Sequence, residues 1–294
     1  MDVGKMERKR DKMENNKGLV LEGGGMRGIF TAGVLDFFLE KDVNFDNCLA
    51  VSAGACLGAS YMSKRHKRGF NAIADHIDKK EYASFYNLIT TGNFFHVDYS
   101  YRRIVEEFNP FDNETYMKNP TKFQAVITNV KTGEAEYPHI KDAVKELIYI
   151  RASASLPFLS RKVRINGGLY LDGGVSDPIP IRKSMENGNV KNVLILTREK
   201  EYRKKESKLG KLSAMRYGKY PKFVKLMDTR FSRYNETLEY IYELEKAGKV
   251  FVIQPKAPLN MGRIEKNREK LENVYNAGYE EAKARYEKMM EYLK

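Results

Sequence analysis

The sequence has no tryptophan, two cysteines and four histidines in 294 residues, and each scarcity removes a class of chemistry. Cys48 and Cys56 are too few and wrongly spaced for a disulfide framework or a thiolate metal site, and their small, apolar neighbours mark them as buried free thiols. His66, His76, His96 and His139 all precede the last candidate acid, so a unit in the chain order serine, acid, histidine cannot be completed. Long apolar runs are missing too, since none approaches the roughly 20 residues that a membrane-spanning helix needs. Residues 1–17 are charged, without the apolar centre of a secretion signal. The expectation is a cytoplasmic protein, or one held peripherally at the inner membrane surface, with no cofactor and no metal.

What is present reads as a globular α/β chain. Hydrophobic residues make up 42% and aromatics 12%, enough for a substantial core. The formal charge is +13 and is unevenly placed: residues 198–233 hold thirteen Lys and Arg against four Asp and Glu, an excess of nine. Such a segment suits an anionic membrane surface, where each basic residue contributes on the order of 1 kcal/mol. It also suits a nucleic acid, or a solvated loop with no partner.

Periodicity places the elements in order. Residues 1–16 form a basic arm, and residues 18–22 a short apolar strand. A glycine loop, Gly23-Gly24-Gly25-Met26-Arg27-Gly28, then opens a helix whose Ile29, Gly33, Val34, Phe37 and Phe38 face the sheet. Residues 44–51 return as a second strand, and a helix runs from Ser52 to about Met62. Residues 70–118 are aromatic-rich helices capping the site. Residues 123–130 and 134–137 pair as a hairpin, residues 140–150 are helical, and short strands at 163–165 and 169–171 lead to Asp172-Gly173-Gly174. A helix at 179–185, a strand at 193–196, a helix at 235–247, a strand at 250–253 and a long amphipathic tail helix complete the chain.

Two stretches carry chemistry. Ala50-Val51-Ser52-Ala53-Gly54 approaches the nucleophile elbow G-x-S-x-G, in which a strained strand-to-helix turn exposes a serine hydroxyl; Ala50 stands where the first glycine belongs. Gly23, Gly25 and Gly28 satisfy the spacing G-x-G-x-x-G of a dinucleotide loop, but that reading needs an acid at the end of the next strand, which here ends in Ser52. The alternative is that the amides of the loop form an oxyanion hole, helped by the following helix dipole. Arg27 opposes that dipole and either meets a carboxylate or a ligand, or points to water. With no late histidine, the base for Ser52 would be a carboxylate. Asp172 closes a strand before two glycines, which fits a base, although taken alone it reads first as an ordinary turn aspartate. Asp177 suits a cap on the helix after Pro178.

The glycine loop 23–28, the Ser52 elbow, Ala154-Ser-Leu-Pro-Phe158 and Asp172-Gly-Gly174, in this order, resemble the bacterial patatin-like phospholipases. The later Tyr220-Pro221 and Arg233-Tyr234-Asn235 stretches and the tail helix are similar to one bacterial subgroup. The resemblance implies a three-layer α/β/α fold with a mostly parallel central sheet and a C-terminal amphipathic helix. It implies Ser52 as nucleophile, Asp172 as proton acceptor, the 23–28 loop as oxyanion hole, and metal-free hydrolysis of lipid acyl esters. The expected division is a flexible arm over 1–16, a catalytic core over 17–197, and a basic segment with an α/β extension over 198–294. The expected partners are a lipid ester and, through residues 198–233, an anionic membrane surface, with no nucleic acid. The competing function is a non-catalytic membrane-surface or nucleic-acid binding protein on a degenerate hydrolase fold.

Overall fold

The computed structural model describes residues 16–206, 210–262 and 264–294, so the expected basic arm lies outside the described residues except at Asn16. Among them, eight strands form one sheet: β1 (Lys17–Leu21), β2 (Asn47–Val51), β3 (Lys122–Asn129), β4 (Ala135–Glu136), β5 (Val163–Ile165), β6 (Gly168–Asp172), β7 (Lys191–Ile195) and β8 (Val250–Ile253). Their order is β5-β6-β3-β2-β1-β7-β8, with β4 paired to β3 off this path. β3, β2, β1, β7 and β8 run parallel. β4 and β6 are antiparallel to β3, and β5 is antiparallel to β6.

Strand alternation builds a core on each face. Leu19, Leu21, Val193 and Ile195 join one core with the helices Ile29–Glu40, Ala53–Met62 and Arg268–Tyr292. Their neighbours Val20, Leu194 and Leu196 join the other, with Ile181 and with Tyr234, Leu238 and Ile241 of the helix Arg230–Lys246. Successive side chains of a strand point to opposite faces, so these apolar runs demand cover on both sides. The result is the expected three-layer α/β/α arrangement.

Register then brings the functional ends together. Leu21 pairs with Ala50 and Ile195, so β1 and β7 end together, and β2 ends one residue further, at Val51 level with Val126 of β3. Asp172, the last residue of the antiparallel β6, pairs with Ile127, one residue beyond that level. Ser52 and Asp172 therefore leave the sheet side by side, although 120 residues separate them.

Some local expectations change. The helix expected over 140–150 is confined to Leu147–Ser153. Asp142 Oδ1 accepts from the amides of Val144 and Lys145, and Glu146 Oε2 accepts from those of Lys141 and Asp142. Carboxylates thus take the amides that a longer helix would use, and Val144 and Ile148 stay exposed. The helix Ile29–Glu40 is buried around its whole circumference over residues 29–38, because the tail helix covers the face turned away from the sheet. The basic segment is not a loop throughout: Gly210–Tyr217 and Pro221–Asp228 are helical, and Arg230–Lys246 begins inside it, five residues before the expected start. Asp177 accepts from the hydroxyl of Tyr137 at 2.8 Å, and no side chain among the described residues caps the helix Ile181–Glu186.

Candidate active site

Ser52 occupies the junction between β2 and the helix Ala53–Met62 with φ 56° and ψ −125°, a conformation that side chains with a β-carbon avoid. Close packing below it enforces this turn. A β-carbon on Gly54 would stand 2.8 Å from the carbonyl oxygen of Glu22, and one on Gly23 would stand 2.8 Å from Cβ of Ser52. Both glycines let the first two loops of the sheet touch. Ala50 is fully buried and its methyl belongs to the first core, two residues before a serine that still adopts the elbow. The amide of Ser52 donates to Ser153 Oγ at 2.9 Å, which pins the turn from the far side.

The hydroxyl of Ser52 donates to Asp172 Oδ2 at 2.6 Å. The other carboxylate oxygen of Asp172 accepts from the amide of Gly174 at 2.7 Å. Backbone bonds fix the residue further: its amide donates to the carbonyl of Ser155 at 2.8 Å, and its carbonyl accepts from Thr128 Oγ1 at 2.8 Å. Gly173 follows without a β-carbon because one would lie 2.1 Å from the carbonyl oxygen of Val126. Asp172 is 1% and Ser52 7% exposed, so the pair is enclosed, with the serine nearer to solvent.

The glycine loop passes beside the serine. Gly25 has φ 58°, which favours glycine, and residues 25–28 form a short 3-10 turn that leads into the helix Ile29–Glu40. Two cavities meet here, sharing Gly25, Ser52 and Leu156. One, of about 170 Å³, is apolar, with Met26, Leu57, Ile73, Tyr82, Phe95 and Leu147 in its wall. Cys56 also lines it, and burial pushes its thiol up to about 11. The other, of about 260 Å³, is polar and includes Glu22, Arg27, Arg198, Lys204, Arg230 and Tyr234. An ester placed at Ser52 would therefore have an oily side and a charged side.

Several of these residues carry no role in the sequence reading. Glu22 is a buried carboxylate that accepts from the amide and hydroxyl of Thr197 and from the hydroxyl of Tyr234 at 2.7 Å. Burial and the nearby Glu22 charge hold the Tyr234 phenol well above its usual range, so it stays a donor. Arg233 donates to the carbonyls of Val175, Ser176 and Leu226 at 2.7 to 2.8 Å, and Arg230 Nε donates to that of Gly174 at 2.8 Å. The helix Arg230–Lys246 thereby fastens the turn that follows Asp172. Ser153, directly before the Ala154-Ser-Leu-Pro-Phe158 stretch, gives no signal in the sequence, since a serine in a helix is ordinary. The Arg-Tyr-Asn triplet at 233–235 was visible in the sequence, but its partners Lys204, Ser176, Val175 and Glu22 lie 31 to 212 residues earlier and have no local mark.

Comparison with known proteins agrees with this architecture. Residues 19–184 match the family described as patatin-like phospholipase, and residues 220–294 match a domain of unknown function (DUF6363). The chain is 28% identical over 263 residues to the uncharacterized protein YjjU of Escherichia coli (strain K12), an alignment spanning 82% of this chain and 69% of that protein. It is 30% identical over 170 residues to an uncharacterized NTE family protein of Mycobacterium tuberculosis, covering 55% of this chain and 27% of the relative. Against the lysophospholipase NTE1 of Cryptococcus neoformans identity is 27% over 188 residues, 61% of this chain but 11% of the fungal protein. The matched region contains the glycine loop, the elbow and the Asp-Gly-Gly turn on the sheet that joins them, and it spans more than half of the sequence. The chain therefore belongs to the patatin-like phospholipase family, as a lipid hydrolase.

Proposed function

We propose that the protein cleaves the carboxylic ester of a membrane lipid through an acyl-enzyme, with Ser52 as nucleophile and Asp172 as base. The observation that carries this reading is the 2.6 Å Ser52–Asp172 hydrogen bond at the meeting point of an apolar and a polar cavity. The fungal relative's name, lysophospholipase, supports the same substrate class.

The acyl chain enters the apolar cavity and the ester carbonyl rests over Ser52 Oγ. Oγ attacks the carbonyl carbon while Asp172 Oδ2 takes its proton. An aspartate has a reference pKa of about 3.9, so the short contact and enclosure must favour the transfer. The oxyanion faces the amides of the 23–27 loop and the amino end of the helix Ala53–Met62, where one preorganised donor is typically worth about 3 kcal/mol. Collapse breaks the carbon–oxygen bond, and the departing alcohol takes the proton from Asp172. Water then attacks the acyl-serine, giving a proton to Asp172, which returns it to Ser52 Oγ as the fatty acid leaves.

Contact with a bilayer fits the same reading. Residues 198–233 supply the positive charge, and Phe85, Tyr86 and Ile89 project apolar side chains that are 70%, 74% and 84% exposed. They lie on the short helix Phe85–Thr91, between Tyr82 and Phe95 of the apolar cavity.

The test is hydrolysis of phospholipid, lysophospholipid and neutral glyceride by the native chain beside Ser52→Ala and Asp172→Asn. Fatty acid release lowered by roughly a thousandfold or more in both variants is the expected result. Full activity in either removes the dyad.

A further inference from the structure

We infer that the polar cavity beside Ser52 is a subsite for an anionic phosphate head group, and that residues outside the patatin-like match supply three of its four cations. This rests on the ester hydrolysis proposed above. Because both cavities contain Ser52, Gly25 and Leu156, a lipid ester with its acyl chain in the apolar cavity places its alcohol portion in the polar one.

The wall of that cavity is cationic. Arg27, Arg198, Lys204 and Arg230 line it together with two carboxylates, Glu22 and Asp172. Four cations against these two carboxylates leave the wall with an excess of two positive charges. Arg198 stacks its guanidinium 4.3 Å from the centre of the Tyr202 ring, and Lys204 Nζ lies 4.3 Å from that of Tyr234. The Nε of Arg198 is buried and has no hydrogen-bond partner among the described residues. The guanidinium of Arg198 lines the cavity, and a phosphate oxygen is the acceptor its planar fork suits best. A quaternary ammonium head would instead meet like charge in a partly enclosed space, where repulsion is screened less than in bulk solvent.

The sources of these cations separate this subsite from the family's shared core. The patatin-like match ends at residue 184, so Arg198, Lys204 and Arg230 all lie beyond it, and Arg230 falls in the segment matching a domain of unknown function. The same helix carries Tyr234, which holds Glu22 and supports the Lys204 ammonium. On this reading that segment selects the substrate.

The experiment compares kcat/KM for a 1-acylglycerol 3-phosphate, the matching 1-acylglycerophosphocholine and the matching monoacylglycerol, all with one acyl chain. The phosphate-terminated lipid should exceed each of the others by about tenfold or more, the order expected for one or two charge-assisted hydrogen bonds. In Arg198→Gln and Lys204→Gln that ratio should fall toward one. A binding arm uses Ser52→Ala: glycerol 3-phosphate should bind, and Arg198→Gln added to it should abolish the signal. Equal rates on all three lipids, with no glycerol 3-phosphate binding, overturn the inference while leaving ester hydrolysis intact. Binding of inorganic phosphate as tight as that of glycerol 3-phosphate, with equal lipid rates, makes free phosphate the occupant and also overturns it. If no ester is cleaved, the proposed activity fails, and the binding arm alone decides whether the subsite exists.

Discussion

Ser52 holds a backbone conformation, φ 56° and ψ −125°, that costs a side-chain-bearing residue on the order of 1 to 3 kcal/mol. Gly54 and Gly23 pack the neighbouring loop so tightly that the turn cannot relax. Ser52→Gly should therefore be more stable than Ser52→Ala by about 1 kcal/mol, read as the difference in urea midpoint at equal m; equal stability would mean that the elbow carries no strain. At this scale the candidate site was legible where the proposed chemistry needs a fixed residue type at fixed local spacing. Ser52 beside Gly54, Asp172 before Gly173 and Gly174, and the run of loop glycines are all of this kind. Ser153, Thr128 and Glu22 were not legible. Each is an ordinary polar residue whose importance arises only when β1, β3, β6 and the helix Leu147–Ser153 converge at one edge of the sheet.

Between elements, two contacts govern how the later part of the chain supports the earlier part. The tail helix crosses the helix Ile29–Glu40 at backbone distance: a β-carbon on Gly33 would lie 2.0 Å from the carbonyl oxygen of Tyr275, and one on Gly278 would lie 2.0 Å from that of Phe30. Gly278→Ala must push the helices apart and should destabilise the fold by about 3 kcal/mol, measurable by denaturant unfolding. An unchanged midpoint would show that the helices are not in this contact. The second contact is the Arg233 clamp on the carbonyls of Val175, Ser176 and Leu226. Arg233→Met leaves buried carbonyls without a donor and frees the turn behind Asp172. The expected outcome is a fall in kcat of about tenfold or more with a smaller change in KM, together with a lower melting temperature. A melting shift with kcat preserved would make the clamp purely structural. The tail helix could be read from its periodicity, but its glycine-to-glycine crossing could not, because nothing local distinguishes Gly33 or Gly278 from any other helix glycine. The opposite failure occurred at 140–150, where apolar spacing suggested a helix but Asp142 and Glu146 capture the amides.

For the whole molecule, the proposed function gives the +13 charge and the exposed Phe85, Tyr86 and Ile89 the task of meeting an anionic lipid surface. No helix among the described residues is long and apolar enough to cross a membrane. Sedimentation with anionic vesicles should therefore depend on salt, falling steeply between 50 mM and 500 mM NaCl, concentrations chosen to shorten the Debye length from about 14 to about 4 Å. Ile89→Ser combined with Phe85→Ser should weaken the binding that survives at high salt; binding insensitive to both changes would assign the contact to another surface. Fold class followed from the alternation of short apolar strands and helices, whereas the split of the site into an oily and a charged half arises only where the fold sets Arg198, Lys204, Arg230 and Tyr234 beside the glycine loop. The central claim is that Ser52 is activated by Asp172, and covalent labelling tests it most directly. Treatment of the full chain with a fluorophosphonate, followed by peptide mass spectrometry, should place a single adduct on Ser52, formed at least a hundredfold more slowly in Asp172→Asn, a conservative fraction of the roughly 10⁴-fold losses seen when a catalytic aspartate is removed. An adduct on any other residue, or equal labelling rates in the two proteins, would contradict the account.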